Sequence, residues 1–333
     1  MTYEIRIAGT DLHFQCEAGQ NILDAGLKAG IEMPYSCRKG VCGNCAGRVT
    51  AGAFECPPPI EAIEPGQQLF CQCTPAGDLE IAPVAWHRVD PAARKTFAAK
   101  VYRNTLAADD VSILQLRLPA GQRAKFKAGQ YLQVALPDGS RRSYSMANAP
   151  HESDTLQLHI RHVADGEFTR IVPQLRAGDV LQVELPYGNF ELKEESDAPM
   201  LCVAGGTGFA PVKSLLDDLA KKKVQRAVTL IWGGRNRASL YLLSAVERWQ
   251  KVLPGFRFVA AVEDEDDART LDGFHGRVDA AVRASIGRLE GWEVYCCGAP
   301  AMVTAVRKAC IDELGLDPHH FFSDSFVPGP AAP

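Results

Sequence analysis

Cys37, Cys42 and Cys45 fall within nine residues, inside the string Tyr35-Ser36-Cys37-Arg38-Lys39-Gly40-Val41-Cys42-Gly43-Asn44-Cys45. Thiolates spaced Cys-x4-Cys-x2-Cys hold a [2Fe–2S] cluster, a one-electron device that needs a fourth, distant thiolate. Three buried apolar cysteines would not share so short a stretch with Arg38, Lys39, Asn44 and two glycines. A structural zinc site would repeat a short cysteine pair elsewhere, and only one such pair is present. Gly40 and Gly43 suit a loop whose backbone amides approach inorganic sulfide. The cysteine count of 11 is odd and no secretory leader precedes it, which predicts a reducing compartment and no disulfides.

The fourth thiolate has two candidates in Leu69-Phe70-Cys71-Gln72-Cys73-Thr74-Pro75-Ala76-Gly77-Asp78. This stretch resembles the ending of plant-type ferredoxins, in which the last ligand lies four residues before a proline and seven before an aspartate. Pro75 and Asp78 meet those offsets for Cys71, and Cys73 stays open as the alternative. Cys16, Cys56, Cys202 and Cys310 are expected to be ordinary thiols.

Elements that could position such a centre follow from length and patterning. A chain of 333 residues, 46% hydrophobic, has room for two or three domains, each with its own core. No apolar stretch is long enough to span a membrane, and the alternating Tyr3–Ile7 opening carries no leader, so a cytoplasmic protein is expected. A net charge of -4 gives no reason to expect nucleic acid. Residues 1–85 hold ten acids against five bases, so this part could steer onto a basic partner or simply be well solvated. The run Glu263-Asp264-Glu265-Asp266-Asp267 is expected to be a solvated loop.

Residues 1–85 read as short strands, one helix near Ile22–Ala29, the cysteine loop and a closing strand at Leu79–Ile81, with Pro57-Pro58-Pro59 and Pro65-Gly66 as turns. Residues 86–96 lapse into Pro, Ala and charge, as a linker does. Residues 97–198 carry period-two segments at Val111–Leu118, Tyr131–Leu136, Thr155–Val163 and Val180–Leu185, which predict an antiparallel β-barrel. From 199 to 333 apolar strands (Met200–Ala204, Val228–Trp232, Arg257–Ala261, Glu293–Cys297) alternate with helical stretches (Val212–Lys221, Tyr241–Trp249, Pro300–Glu313), the signature of a parallel α/β sheet.

Two motifs sit in these later modules. Arg142-Ser143-Tyr144-Ser145 ends a predicted barrel strand and resembles the Arg-x-Tyr-Ser flavin motif of the ferredoxin reductase superfamily. The chemistry suits it: an arginine forks onto a pyrophosphate, a tyrosine lies against the isoalloxazine, and a serine bonds N5, where hydride arrives. The resemblance extends to His159-Ile160-Arg161 along the flavin edge and to Gly166 and Thr169 at the pyrophosphate, where the family's usual serine is here a threonine.

Gly205-Gly206-Thr207-Gly208-Phe209-Ala210-Pro211 links a strand to a helix, where glycines let phosphates approach backbone amides. Pro211 replaces the third glycine of the ordinary dinucleotide fingerprint, and the loop resembles the superfamily's nicotinamide loop instead. The resemblance implies that Cys297, in Cys297-Gly298-Ala299-Pro300, lies against the nicotinamide C4, and that Phe326 covers the flavin until nicotinamide displaces it. Buried-thiol and core-packing roles are the alternatives for these two. Ser239 stands where NADH-using relatives carry an acid, with Arg235 and Arg237 upstream able to meet a 2′-phosphate. That favours NADPH, with NADH the alternative.

Over nearly its full length the chain resembles the iron–sulfur flavoprotein reductases of bacterial multicomponent oxygenases. The resemblance implies a multidomain α+β and α/β protein: a β-grasp [2Fe-2S] ferredoxin domain, an antiparallel barrel holding FAD, and a parallel α/β domain for the nicotinamide. The stretches Tyr35–Gly40, Arg142–Asn148 and Gly205–Pro211 are most similar to the terephthalate dioxygenase branch. It implies hydride transfer from NAD(P)H to FAD, single electrons to the cluster, and delivery to a Rieske centre of a terminal aromatic-ring dioxygenase, from a reductase monomeric by itself. Reductases of di-iron monooxygenases and of CDP-deoxysugar dehydratase systems share these motifs and remain open alternatives, as does a carrier whose flavin and nucleotide domains have lost activity.

Overall fold

The structure is a computed structural model and describes all residues except 36, 59–62, 91–92, 165 and 327–333. Ser36 of the cysteine string, Pro59 of the expected proline turn, part of the expected linker and the last seven residues therefore lie outside it. Among the described residues, no helix is long and apolar enough to cross a membrane. The chain forms two compact units, Met1–Arg94 and Lys95–Pro333.

In the first unit the strands His13–Glu17, Thr2–Ile7, Leu79–Pro83, Ala46–Ala51 and Gln68–Leu69 lie side by side in that order. Alternation puts Ile5, Ile7, Phe14 and Ile81 inside, where the helix Ile22–Lys28 adds Ile22 and Leu23. Asn21 starts that helix, its side-chain oxygen accepting from the Asp24 amide at 2.8 Å. The sheet with the helix Ile22–Lys28 packed on it is the expected β-grasp. Part of the stretch read as a linker is ordered here, His87–Arg88 pairing antiparallel with Ile31–Glu32.

The expectation of no disulfide does not hold. Phe54–Glu55 pairs antiparallel with Thr74–Pro75, which sets Cys56 opposite Cys73, and the two are joined with their Cα atoms 4.4 Å apart. Cys56 is thus not an ordinary thiol. Strand pairing across an 17-residue separation created a contact that spacing alone could not show.

The second unit holds two sheets. The antiparallel one runs Arg141–Ser145, Tyr131–Ala135, Val180–Tyr187, Lys95–Ala108, Val111–Arg117, Thr155–Arg161, and a bridge between Met146 and Leu158 joins its two edges into a barrel. Leu114, Leu116, Leu132, Val134, Leu156, Leu158 and Val183 fill the interior from alternate positions. The 14-residue strand Lys95–Ala108 had no counterpart in the sequence reading. Register shifts at Val101/Arg103 and Leu106/Ala108 break its period, so its apolar residues do not alternate cleanly.

The other sheet is wholly parallel, in the order Phe274–His275, Arg257–Val262, Val228–Gly234, Met200–Gly205, Glu293–Gly298, Phe321–Ser325. Strand order reverses between Met200–Gly205 and Glu293–Gly298, so the crevice for a ligand opens at the carboxyl ends of these two strands. Cys202 and Cys297 face one apolar core and Cys296 and Cys310 the other, consistent with alternation along a strand buried on both sides. The acidic run is not a solvated loop: Glu265–Thr270 is helical, and Asp264 caps it by accepting from the Asp267 amide at 2.9 Å. Acids favour that end because the helix dipole is positive there.

A buried ion pair fixes the segment between barrel and parallel sheet. Arg226 Nη2 lies 2.8 Å from Glu293 Oε2, and Arg226 Nε donates to the Ala198 carbonyl at 2.7 Å. Tyr295 Oη donates to Glu293 and accepts from the Lys193 amide. Removing one member would strand a charge in a dry interior, a loss of about 3–5 kcal/mol.

Candidate functional site

Cys37, Cys42, Cys45 and Cys71 are all buried in the first unit. They meet in pairs: Cys37 with Cys42, and Cys45 with Cys71, while Cys71 and Cys37 also feel each other's charge. Among the described residues no three metal-ligating groups converge as one ion would need. Two thiol pairs side by side instead match two irons, each taking two thiolates, so this donor set fits the cluster. Hydrogen bonding from Cys42, helped by the amides of Lys39, Val41 and Cys42, pulls the Cys37 thiol down to about 5. The Cys45 contact, reinforced by the Gln72 side chain and the Gly40 amide, pulls Cys71 down to about 7. The same contacts, with burial, raise the other member of each pair, Cys42 and Cys45, so one thiolate is favoured in each pair.

The loop is shaped for this. Gly40 and Gly43 have φ of 73° and 79°, and a Cβ at Gly40 would stand 2.8 Å from the Gln72 side chain. Gln72 Nε2 lies 3.4 Å from Cys71 Sγ and 3.3 Å from the Arg38 carbonyl, tying the two ends of the ligand set together. Arg38 pairs with Asp24 on the helix beside it. Cys73, the alternative ligand, is turned away and held by Cys56. Asp78 accepts from the Glu4 amide at 2.8 Å, so its offset from Cys71 reflects a strand-edge contact.

In the barrel, Arg142 and Tyr144 project from one face of Arg141–Ser145, toward the short helix Glu167–Ile171. Arg142 Nη2 lies 2.8 Å from Glu167 Oε2, and the Tyr144 ring is 5.4 Å from that of Phe168. Burial pushes the Tyr144 hydroxyl well above its usual range, so it stays neutral. Arg142, Tyr144, Gly166 and Thr169 are thereby gathered. Thr169 Oγ1 already bonds the Val163 carbonyl at 2.9 Å, and a Cβ at Gly166 would stand 2.2 Å from it. Ser143 is exposed on the other face.

Ser145 is buried, and its Oγ has no hydrogen-bond partner among the described residues. A buried hydroxyl without a partner is costly, and a ring nitrogen at this place would satisfy it. That unpartnered hydroxyl, on the same short strand as Arg142 and Tyr144, fits a flavin. Ile160 points its side chain into the barrel core, leaving its main chain for any ligand. Arg161 turns outward and pairs with Asp110 at 2.5 Å, its guanidinium close to Gly206.

His159 faces the parallel-sheet domain. Its Nδ1 lies 2.9 Å from Tyr241 Oη and its Nε2 3.3 Å from Gln157 Oε1. Burial, with the Lys213 charge nearby, holds this imidazole well below the usual histidine range, so it is neutral, accepting from Tyr241 and donating to Gln157. Tyr241 also senses Arg161 and Cys297.

The loop Gly206–Gly208 begins the helix Phe209–Lys222 at the switch point. Gly206 has a φ of 53°, and a Cβ at Gly208 would stand 2.2 Å from the Cys297 carbonyl. Such a clash costs roughly 1–3 kcal/mol, so the two strand ends can close on a nucleotide only with glycine there. Trp232 holds the loop from below: its Nε1 donates to the Gly206 carbonyl at 3.2 Å and its ring stacks on Phe209 at 3.7 Å. Cys297 is fully buried and kept as a thiol by that burial. Gly298, Pro300 at the next helix start, and Phe326, whose amide donates to the Gly298 carbonyl at 2.9 Å, complete this edge. The positive helix end, the glycine cradle and the open sheet end fit a nicotinamide dinucleotide.

Arg235 and Arg237 are exposed on the loop after Val228–Gly234. The Arg235 carbonyl accepts from Asp264 at 2.9 Å, and the Arg237 amide donates to Asp267 at 2.7 Å. Sequence reasoning missed Trp232, Tyr241, Asp110 and Lys213. Only Tyr241 carried a signal, in its Leu240-Tyr241 pair.

Residues 5–76 match the 2Fe-2S iron-sulfur cluster binding domain family, 98–192 the oxidoreductase FAD-binding domain and 202–308 the oxidoreductase NAD-binding domain. Those three domains in that order define an oxidoreductase of the iron–sulfur flavoprotein reductase class. The chain belongs, within it, to the family of the terephthalate 1,2-dioxygenase reductase components, being 54% identical over 334 residues to component 2 from Comamonas sp. and covering 99% of both chains. The CDP-6-deoxy-L-threo-D-glycero-4-hexulose-3-dehydrase reductase of Yersinia pseudotuberculosis is 34% identical, covering 98% of this chain and 99% of its own. The crystal structure of an Amycolatopsis cytochrome P450 reductase superposes with a TM-score of 0.75 at 32% identity, covering 99% of this chain and 100% of the other.

Proposed function

We propose that this protein is the electron-supplying component of a terephthalate 1,2-dioxygenase-type system, drawing electrons from NAD(P)H and delivering them to a terminal aromatic-ring oxygenase with a Rieske centre. The 54% identity to a terephthalate 1,2-dioxygenase reductase component carries this reading, against 34% to a deoxysugar dehydrase reductase. We take the protein to be cytoplasmic and monomeric by itself, divided into domains at 1–85, 97–198 and 199–333 about a linker at 86–96.

When bound, FAD would accept a hydride from the nicotinamide and the cluster would carry electrons onward singly. The chain's own residues supply position and field. Arg142, with Gly166 and Thr169, would hold the pyrophosphate. Tyr144 would lie along the ring system and Ser145 Oγ would bond its N5 edge. Ser143 and the main chain of His159, Ile160 and Arg161 would border it. Gly206, Thr207 and Gly208 would cradle the nucleotide phosphates, with Cys297, Gly298 and Pro300 closing over the nicotinamide and Phe326 shielding the flavin face. Arg235 and Arg237 are exposed and would be able to meet a 2′-phosphate, which favours NADPH over NADH. Cys37, Cys42, Cys45 and Cys71 would ligate the cluster. Chain groups at the flavin are neutral where proton traffic would interfere: His159 and Tyr144 keep their un-ionised forms by burial.

The test is partner choice. Mixed with the oxygenase component of a terephthalate 1,2-dioxygenase, the purified reductase should support NAD(P)H-dependent O2 uptake in step with loss of terephthalate. With a di-iron hydroxylase or a CDP-sugar dehydratase, turnover should be at least about tenfold lower, equivalent to 1.4 kcal/mol. Equal or faster turnover with either of those partners would overturn the assignment.

A further inference from the structure

We propose that Lys213, with Ser214 beside it, is a positioning residue for hydride transfer, holding the flavin-bearing end of the barrel in register with the nicotinamide loop. The inference rests on Ser145 and Gly206–Gly208 as the flavin and nicotinamide sites proposed above.

Lys213 lies in the first turns of the helix that begins just after Gly208, yet it is only 7% exposed. Its Nζ donates to the Ala147 carbonyl at 3.0 Å and to Asp217 Oδ2 at 2.9 Å. Ala147 stands two residues beyond Ser145. Ser214, fully buried, donates from its Oγ to the Asn148 carbonyl at 2.7 Å. Asn148 extends the bridge: its Oδ1 accepts from the Gln157 amide at 2.9 Å and its Nδ2 donates to the Thr155 carbonyl at 3.0 Å. Gln157 and Thr155 belong to the strand that carries His159 and Arg161. On the other side Asp217 Oδ1 accepts from Trp249 Nε1 at 2.8 Å and from Arg248 at 2.5 Å, anchoring the lysine's partner in the neighbouring helix Leu243–Val252.

Two adjacent side chains thus clamp two adjacent carbonyls, one turn of helix from one cofactor loop and two residues from the other. A buried ion pair such as Lys213–Asp217 is a poor choice for stability alone, since an apolar pair of similar volume commonly serves as well or better. What the ammonium adds is direction: carbonyl and carboxylate fix it at both ends. Hydride transfer is the step that feels such a constraint, because donor and acceptor must meet at near-contact distance in an aligned pose.

The experiment uses FAD-loaded full-length protein: wild type, Lys213→Met, Lys213→Arg and Ser214→Ala. Anaerobic stopped-flow follows flavin reduction by NADPH or NADH and by the same nucleotides deuterated at the transferring C4 position. Lys213→Met should slow flavin reduction about 100-fold, the scale of an ångström misplacement. Its isotope effect should be larger and more temperature-dependent than wild type, with FAD content close to wild type and the fold kept, because Asp217 retains Arg248 and Trp249 as partners. Lys213→Arg, which keeps a buried donor, should recover most of the rate, and Ser214→Ala should lose roughly tenfold. Hydrogen exchange at the amides of 146–149 should quicken in Lys213→Met, a readout independent of turnover.

A Lys213→Met enzyme with wild-type rate and isotope effect would overturn the inference. So would a rate loss with an unchanged isotope effect that tracks lost FAD or a lower melting temperature. A wild-type flavin that neither nucleotide reduces would instead overturn the site reading beneath it.

Discussion

Cys71→Ala should yield a protein that binds FAD but lacks the visible absorbance of an iron–sulfur cluster and its reduced-state paramagnetic resonance. The reasoning is geometric. Cys71 is the buried thiol that meets Cys45, receives the Gln72 amide at 3.4 Å and is shifted toward thiolate by those contacts. Iron needs four thiolates in this class of centre, and an alanine leaves one iron short of a ligand. Cys73→Ser should retain the cluster, because Cys73 is spent on Cys56. The two variants therefore form a matched pair two residues apart, with opposite outcomes. Cluster loss in Cys73→Ser together with retention in Cys71→Ala would reverse the ligand assignment.

Ser145→Ala should bind FAD and nucleotide nearly as well as wild type and reduce its flavin about 100-fold more slowly, the scale attached to losing one preorganised donor at a reacting centre. This hydroxyl is buried with no partner among the described residues, so a bond to a bound flavin would satisfy it. Ser143→Ala is the control, since the Ser143 side chain is exposed to solvent where that of Ser145 is buried, and it should change the rate by less than roughly twofold. Single-turnover reduction under anaerobic conditions separates these rates from release steps. Equal rates in Ser145→Ala and wild type would remove Ser145 from the hydride path.

Much of this was legible because the chemistry is local. Three cysteines and two left-handed glycines within one loop state their purpose wherever the loop sits. The switch-point glycines declare themselves by standing between a strand and a helix. The strands Val111–Arg117 and Thr155–Arg161 follow their period closely, whereas Lys95–Ala108 was hidden by its own bulges. Contacts between distant segments were not legible. Nothing near Cys56 announces Cys73, and nothing near Asp110 announces Arg161. Lys213 carries no signal of its own within the predicted helix Val212–Lys221, and the contacts that bury it come from the barrel's Ala147 and, through Ser214, Asn148. The acidic run at 263–267 had the composition of a loop and turned out to cap a helix, since side-chain capping decides where a helix starts and composition does not.

Anaerobic titration of the purified holoprotein with NADPH and then NADH, followed by absorbance and electron paramagnetic resonance, tests the central claim most directly. The account predicts bleaching of the flavin followed by a reduced [2Fe–2S] signal, reached at lower concentrations of NADPH than of NADH. A flavin and cluster that ignore both nucleotides would contradict it, leaving a carrier whose electrons come from elsewhere.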